Sequence, residues 1–339
     1  MRKHSWHPPI LSALFLAAFV LSAHADDCGP LQKLMSLDLT KGPGDVASIP
    51  VTINGSPRKL LFSTAGGRSI LSAGAADSLG LKALSTREKL LDSAGNVSQS
   101  YVTIDSLVIG GMEAKGDEFL ISPDPNFGGN PQLPVDGALA NDVMERYDLD
   151  LDYAGGKVSY FSPEHCDGHV IYWTTTPPSV IAFRHDMPGA RNPTDTHIRF
   201  HVNMDGKDLL AVLNTGAART TMSAKVADGD YDITADSKGT VPLGNMGGQK
   251  VFGYVFKAIN FGDVAVSNPH IAILPDLVGR KDVNNAVRAS GRIARVDDNL
   301  EPDITVGMDV ISKLHIYVAE KEEKLYVTAA GSPAPAPAP

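Results

Sequence analysis

The 339-residue chain has no apolar run of the roughly 18 residues that a membrane-crossing helix needs, which excludes a helical span. It is short of positive charge. Thirty basic residues face 39 acidic ones, a formal charge of −9, and this argues against a nucleic-acid partner, since phosphate contacts need clustered Lys and Arg. Its 20% charged content is too low for a disordered chain, while 43% apolar residues allow real cores. Helical patterning is scarce; Ala73 to Leu81 and Asn141 to Tyr147 are short candidates. What the chain does have is 32 glycines and 23 prolines spread throughout, the mark of many turns between short elements. Its length suits two ordinary domains or one large one.

The first residues have the form of a secretory signal. Arg2, Lys3 and His4 make a basic start, Ile10 to Ser22 is apolar, and Ala23-His24-Ala25 is a small-x-small cleavage pattern ahead of Asp26-Asp27. Residues 1–25 are expected to be removed, which places the mature chain in the periplasm or outside the cell and makes it still more acidic. Only Cys28 and Cys166 remain, and an oxidising compartment is expected to join them in one disulfide. The alternative, His165, Cys166 and His169 as metal ligands, lacks a recognised spacing and a fourth ligand. No metal and no cofactor is expected.

The chain repeats itself. Leu61-Phe62-Ser63-Thr64-Ala65-Gly66-Gly67-Arg68-Ser69-Ile70-Leu71-Ser72 aligns with Val212-Leu213-Asn214-Thr215-Gly216-Ala217-Ala218-Arg219-Thr220-Thr221-Met222-Ser223. Turns at Asn54-Gly55 and Asp205-Gly206 precede the two segments. Downstream, Asp136 to Met144 aligns with Asp303 to Ile311, and each copy runs on into an alternating strand pair: Tyr147 to Tyr153 with Lys157 to Phe161, and Leu314 to Val318 with Lys324 to Val327. The second copy is longer by about 16 residues, most of them expected in the polar stretch Val278 to Asn299. Between the landmarks, hairpins are expected around Ala94, Gly95 and Asn96 and around Met246, Gly247 and Gly248. The expected fold is all-β with two tandem lobes, residues 26–166 and 195–328. A connection, 167–194, joins them, and a Pro/Ala tail, 329–339, has nothing to bury.

With these landmarks in this order, the chain resembles aspartic peptidases of the retropepsin and pepsin type, especially bacterial exported ones. Their signature is an apolar pair, Asp-Thr-Gly-Ala, two variable residues, Ser or Thr, and another apolar pair, followed later by a segment that packs under the loop. The resemblance implies a bilobal acid-protease fold with a pseudo-twofold axis and a central cleft covered by the two hairpins. It also implies a site made by one Asp from each lobe, two carboxylates sharing a proton so that one activates water and the other donates to the scissile carbonyl. In this sequence those two positions hold Ser63 and Asn214, neither of which is a carboxylate base. Thr64 and Thr215 are kept, Gly216 is kept, and Ala65 replaces the other glycine.

A degenerate pair implies a pseudoprotease that binds a peptide or extended polypeptide in the cleft as a monomer of two fused lobes. The alternatives are an active endopeptidase working with a variant site and an inert assembly or surface component. Ser63 as a serine nucleophile would need a base, and no histidine sits in a motif that supplies one. Asp92, in Leu91-Asp92-Ser93, lies where the hairpin falls and is set aside. Asp136, Asp142, Asp303 and Asp309 are expected as turn and cap residues. Asp148, Asp150 and Asp152 are expected on the solvated face of a strand. Arg68 and Arg219, at equivalent places, are expected as surface residues, the other reading being a basic pair that greets an acidic ligand.

Overall fold

The computed structural model describes residues 28–91, 96–124, 132–185, 196–246, 248–275 and 302–333. It is mostly β, with one mixed sheet of ten strands and another of fifteen. The first lobe contains Ala47–Ile53, Ser56–Phe62, Ile70–Ser72, the hairpin Leu84–Leu91 with Val97–Ile104, Leu107–Ile109, Met112–Ala114, Asp117–Ser122 and Gly137–Leu139. The second repeats them as Arg199–Met204, Lys207–Leu213, Thr221–Ser223, Val241–Met246 with Gln249–Val255, Ala258–Phe261, Val264–Ser267, His270–Leu274 and Ile304–Val306. The pairing repeats too. Gly137–Leu139 runs parallel to Ser56–Phe62 as Ile304–Val306 does to Lys207–Leu213, and Asp117–Ser122 runs parallel to Ile70–Ser72 as His270–Leu274 does to Thr221–Ser223.

Local chemistry explains the shared framework. Asn54 and Gly55 have φ of 47° and 79°, and Asp205 and Gly206 have 47° and 89°. Positive φ at both central residues is the tight hairpin turn that matches strand twist, and Asn, Asp and Gly tolerate it best. Each turn side chain also reaches the neighbouring strand. Asn54 Oδ1 accepts from Ser106 N–H at 2.9 Å, and Asp205 Oδ1 accepts from Ala258 N–H at 2.9 Å. The helices Ala73–Ser78 and Ala224–Tyr231 begin at Ser72 and Ser223, whose hydroxyls accept from the N–H groups of Ala75 and Val226 at 3.0 and 3.2 Å.

A six-strand antiparallel platform joins the lobes. Its order is Lys33–Asp38, Lys157–Phe161, Asp148–Asp152, Leu314–Ala319, Lys324–Ala329 and Ser179–Arg184, the last lying inside the stretch expected to be a plain connection. At its centre one strand from each lobe pairs, Leu149 with Val318 and Leu151 with Ile316. Leu149, Leu151, Ile316 and Val318 belong to one continuous cluster with Ile49, Leu60 and Phe62 of the first lobe and Phe200, Leu213 and Val306 of the second. Cys28 and Cys166 form the expected disulfide, tying the start of the described chain to the end of the first lobe.

The solvated face expected for Asp148, Asp150 and Asp152 is a correction. Asp148 is 0% exposed and Asp150 3%. Their strand lies in the middle of the platform, and residues distant in sequence cover its polar face. His165 and Tyr317 bond to Asp148, while Tyr172 and His315 bond to Asp150. Trp173 stacks on His315 with ring centroids 4.5 Å apart. A buried carboxylate must be paired to be tolerated, and these are. Among the described residues, no helix is long and apolar enough to cross a membrane. The expected signal, Ala94, Gly95, Gly247, Asp92, the stretch Val278 to Asn299 and the end of the tail from Ala334 lie outside the described residues.

Candidate functional site

The two repeated loops meet where the lobes face each other. Each begins at a strand end held by the strand beside it: Ser63 N–H donates to Leu139 O at 3.1 Å, and Asn214 N–H donates to Val306 O at 2.9 Å. The next residues cross over. Thr64 Oγ1 donates to Leu213 O at 2.8 Å and accepts from Thr215 N–H at 3.2 Å. Thr215 Oγ1 donates to Phe62 O at 2.9 Å and accepts from Thr64 N–H at 3.1 Å. Both threonines are fully buried. Four reciprocal bonds in a dry seam fix the loops against each other far more firmly than solvent-exposed bonds would.

That seam sets Ser63 beside Asn214. A Cβ added to Gly216 would lie 2.6 Å from Ser63 Oγ and 3.3 Å from Asn214 Oδ1, so both side chains flank one point that only glycine leaves open. Gly216 N–H donates to Asn214 Oδ1 at 3.0 Å. This fixes the amide, because a backbone donor requires the oxygen, and it leaves Nδ2 as a free donor. Among the described residues, neither Ser63 Oγ nor Asn214 Nδ2 has a hydrogen-bond partner, and no histidine or carboxylate is bonded to the Ser63 hydroxyl. The pair therefore offers two neutral donors and no base.

Each loop is braced from below in the same way. Ser69 donates through its hydroxyl to Asp142 Oδ1 at 2.6 Å and through its N–H to Oδ2 at 2.9 Å, while Ala140 N–H donates to Ser69 Oγ at 3.0 Å. Thr220 donates through its hydroxyl and N–H to Asp309 Oδ1 at 2.6 and 2.8 Å, while Gly307 N–H donates to Thr220 Oγ1 at 3.0 Å. Burial pushes the Asp142 carboxyl up, and the two bonds from Ser69 oppose it. Asp136 and Asp303 complete the pattern by accepting from the N–H groups of Lys59 and Leu210 at 3.1 and 2.8 Å. These four acids therefore brace the loops from several residues away. The sequence signal for that role was their recurrence in both copies.

Arg68 sits among Glu88 of the first hairpin, Glu118 and Asp142, at 3.7, 3.6 and 4.0 Å, whereas Arg219 is exposed. Of the hairpin-tip residues named from sequence, Asn96 and Met246 are exposed and Gly248 has φ of 79°. His165 is bonded to Asp148 and Cys166 to Cys28, so neither is available to the alternative metal set. A surface hollow of about 510 Å³ lies elsewhere, on the first lobe, lined by Leu37, Pro50, Val51, Arg58, Val108 and Asp136; neither Ser63 nor Asn214 borders it.

Residues 49–143 match the aspartyl protease family. The matched stretch takes in Ser63, Thr64, Ser69, Asp136 and Asp142, which are the loop of the first lobe and its braces. No curated protein matches the chain. The likeness to aspartyl proteases thus rests on the first lobe, and the second repeats that lobe's strand pairings and its loop bonds.

Proposed function

We propose that this is an exported, aspartyl-protease-like binding protein, a monomer of two fused lobes whose cleft holds an extended polypeptide without cutting it. The observation that carries the reading is the intact threonine seam around Ser63 and Asn214, a protease-like frame with no carboxylate at its centre. Hydrolysis in this frame needs a base to take a proton from water and an acid to give one to the leaving group. Each such group is worth roughly 10²–10⁴-fold in rate. A hydroxyl and an amide at these positions supply neither near neutral pH.

The free hydroxyl of Ser63 and the free amide Nδ2 of Asn214 are neutral donors of the kind that suit carbonyl oxygens of a passing main chain. The exposed edge strands of the hairpins, Leu84–Leu91 and Val241–Met246, would add main-chain bonds of the strand-addition kind.

The test is retention of random decapeptides by the chain starting at Asp26, with the retained and free fractions read by mass spectrometry. The expected result is retention of intact peptides, lost in Gly216→Val, whose side chain would fill the point between Ser63 and Asn214. Cleaved products from the natural chain would refute the reading, and so would equal retention by Gly216→Val.

A further inference from the structure

We propose that Arg219 makes the second-lobe side of the cleft selective for a carboxylate on the bound polypeptide. The inference rests on the reading of the cleft as a polypeptide site and adds the chemical class of one ligand side chain.

The repeat puts Arg68 and Arg219 at the same place, five residues beyond Ser63 and Asn214. Their surroundings differ. Arg68 Nη1 lies 3.7 Å from Glu88, Nη2 3.6 Å from Glu118 and Nε 4.0 Å from Asp142, so three acids surround one guanidinium at the base of the first hairpin. Strand register gives the corresponding neighbours of Arg219. Ile70 pairs with Leu120 in the first lobe and Thr221 with Ala272 in the second, which places His270 where Glu118 stands. The strand Val241–Met246, counterpart of the strand bearing Glu88, contains no acidic residue. The remaining acid, Asp309, holds the hydroxyl and N–H of Thr220 on Oδ1 and makes no ion pair with Arg219 among the described residues. Arg219 is exposed, and among the described residues no ion pair or hydrogen bond engages its guanidinium.

Among the described residues, one lobe therefore closes this corner with its own carboxylates, and the other leaves it open with a cation. A guanidinium offers a planar fork of donors that matches a carboxylate at two points, so an exposed one beside a binding site selects acidic side chains. In a chain of net charge −9 the long-range field repels an acidic ligand, and attraction has to come from a local cation. The Arg68 corner, with three acids to one base, would repel the same group. Selectivity is thus confined to one side of the cleft.

The experiment uses the chain from Asp26 and three decapeptide pools that differ only in carrying Glu, Gln or Lys at one fixed position, with affinity read by fluorescence anisotropy. The natural chain is expected to favour the Glu pool over the Gln pool by about fivefold, the upper end for a solvent-exposed ion pair. The preference should shrink as salt is raised. Arg219→Gln should abolish it, Arg219→Glu should turn it toward the Lys pool, and Lys207→Gln, a change of the same charge at the exposed start of a strand, should leave it intact. Equal binding of all pools, or a preference surviving in Arg219→Gln, would overturn this inference while leaving the polypeptide site standing. No binding of any pool would overturn both.

Discussion

Replacing Thr215 by Val tests whether the threonine seam holds the two lobes' loops. The side chains have nearly the same shape, so packing is kept and only the hydroxyl is lost. Two bonds go with it: donation to Phe62 O at 2.9 Å and acceptance from Thr64 N–H at 3.1 Å. Both partners lie in a fully buried seam, where a stranded polar group costs about 1–3 kcal/mol. Thr215→Val should therefore cost about 2–5 kcal/mol, read as a lower urea midpoint by circular dichroism, at unchanged slope. Thr215→Ser, which keeps the hydroxyl, should cost only about 1 kcal/mol for the lost methyl group. The bonds made by the Thr64 hydroxyl go to Leu213 O and Thr215 N–H, a separate set. Because each residue's N–H also bonds the other's hydroxyl, the two sites are coupled, and the Thr64→Val and Thr215→Val losses should depart from additivity by about 0.5–3 kcal/mol. A Thr215→Val cost below about 0.5 kcal/mol, within the range of an ordinary surface change, would refute the reasoning.

Two other outcomes follow from the same packing. A methyl at Gly66 would come 2.7 Å from the Cβ of Ala140, so Gly66→Ala should destabilise by about 1–3 kcal/mol and Ala140→Gly should restore most of that loss in the double variant, by thermal unfolding. Stability should also fall as pH rises above about 6.5. His165 faces acceptors at both nitrogens, the Cys166 carbonyl and the Asp148 carboxylate, and His185 likewise faces the Thr196 carbonyl and Glu320. Each pair must therefore hold a proton that a neutral imidazole and an ionised acid lack. Burial opposes charge on both histidines, but these acceptors prevail and raise them, while burial raises Asp148 and Glu320. A raised histidine contributes stability that is fully present below its unfolded value and is lost as pH rises through the folded one. The slope should approach about 1.4 kcal/mol per pH unit for each group, and His165→Gln should flatten it; a flat or rising profile in the natural chain would contradict this.

Much of the fold was legible because the chain says everything twice. The loops at Ser63 and Asn214, the segments from Asp136 and Asp303 and both hairpins fall where the repeat puts them. The disulfide was legible because Cys28 had one possible partner. The helices Ala224–Tyr231 and Met308–Ile311 were missed for want of apolar periodicity, although each is the repeat of a helix the sequence did suggest. The platform network was missed for a different reason. Alternation tells that Asp148, Asp150 and Asp152 share a face, but a polar face can meet water or a polar layer. The layer here comes from His165, Tyr172, His315 and Tyr317, some nearby and some from the other copy. The asymmetry between Arg68 and Arg219 was equally hidden, because the two residues are identical and only their neighbours across the sheet differ.

The central claim is that the frame is intact and only its acids are missing. Its most direct test compares the chain from Asp26 with its triple variant Ser63→Asp, Ala65→Gly, Asn214→Asp on a mixed peptide library between pH 3 and 8, with products read by mass spectrometry. The account predicts that the natural chain leaves every peptide whole. The triple variant should cut, and best in acid, since two carboxylates flanking one point share a proton. Cutting by the natural chain would contradict the account, and so would a triple variant that folds like the natural chain and yet cuts nothing.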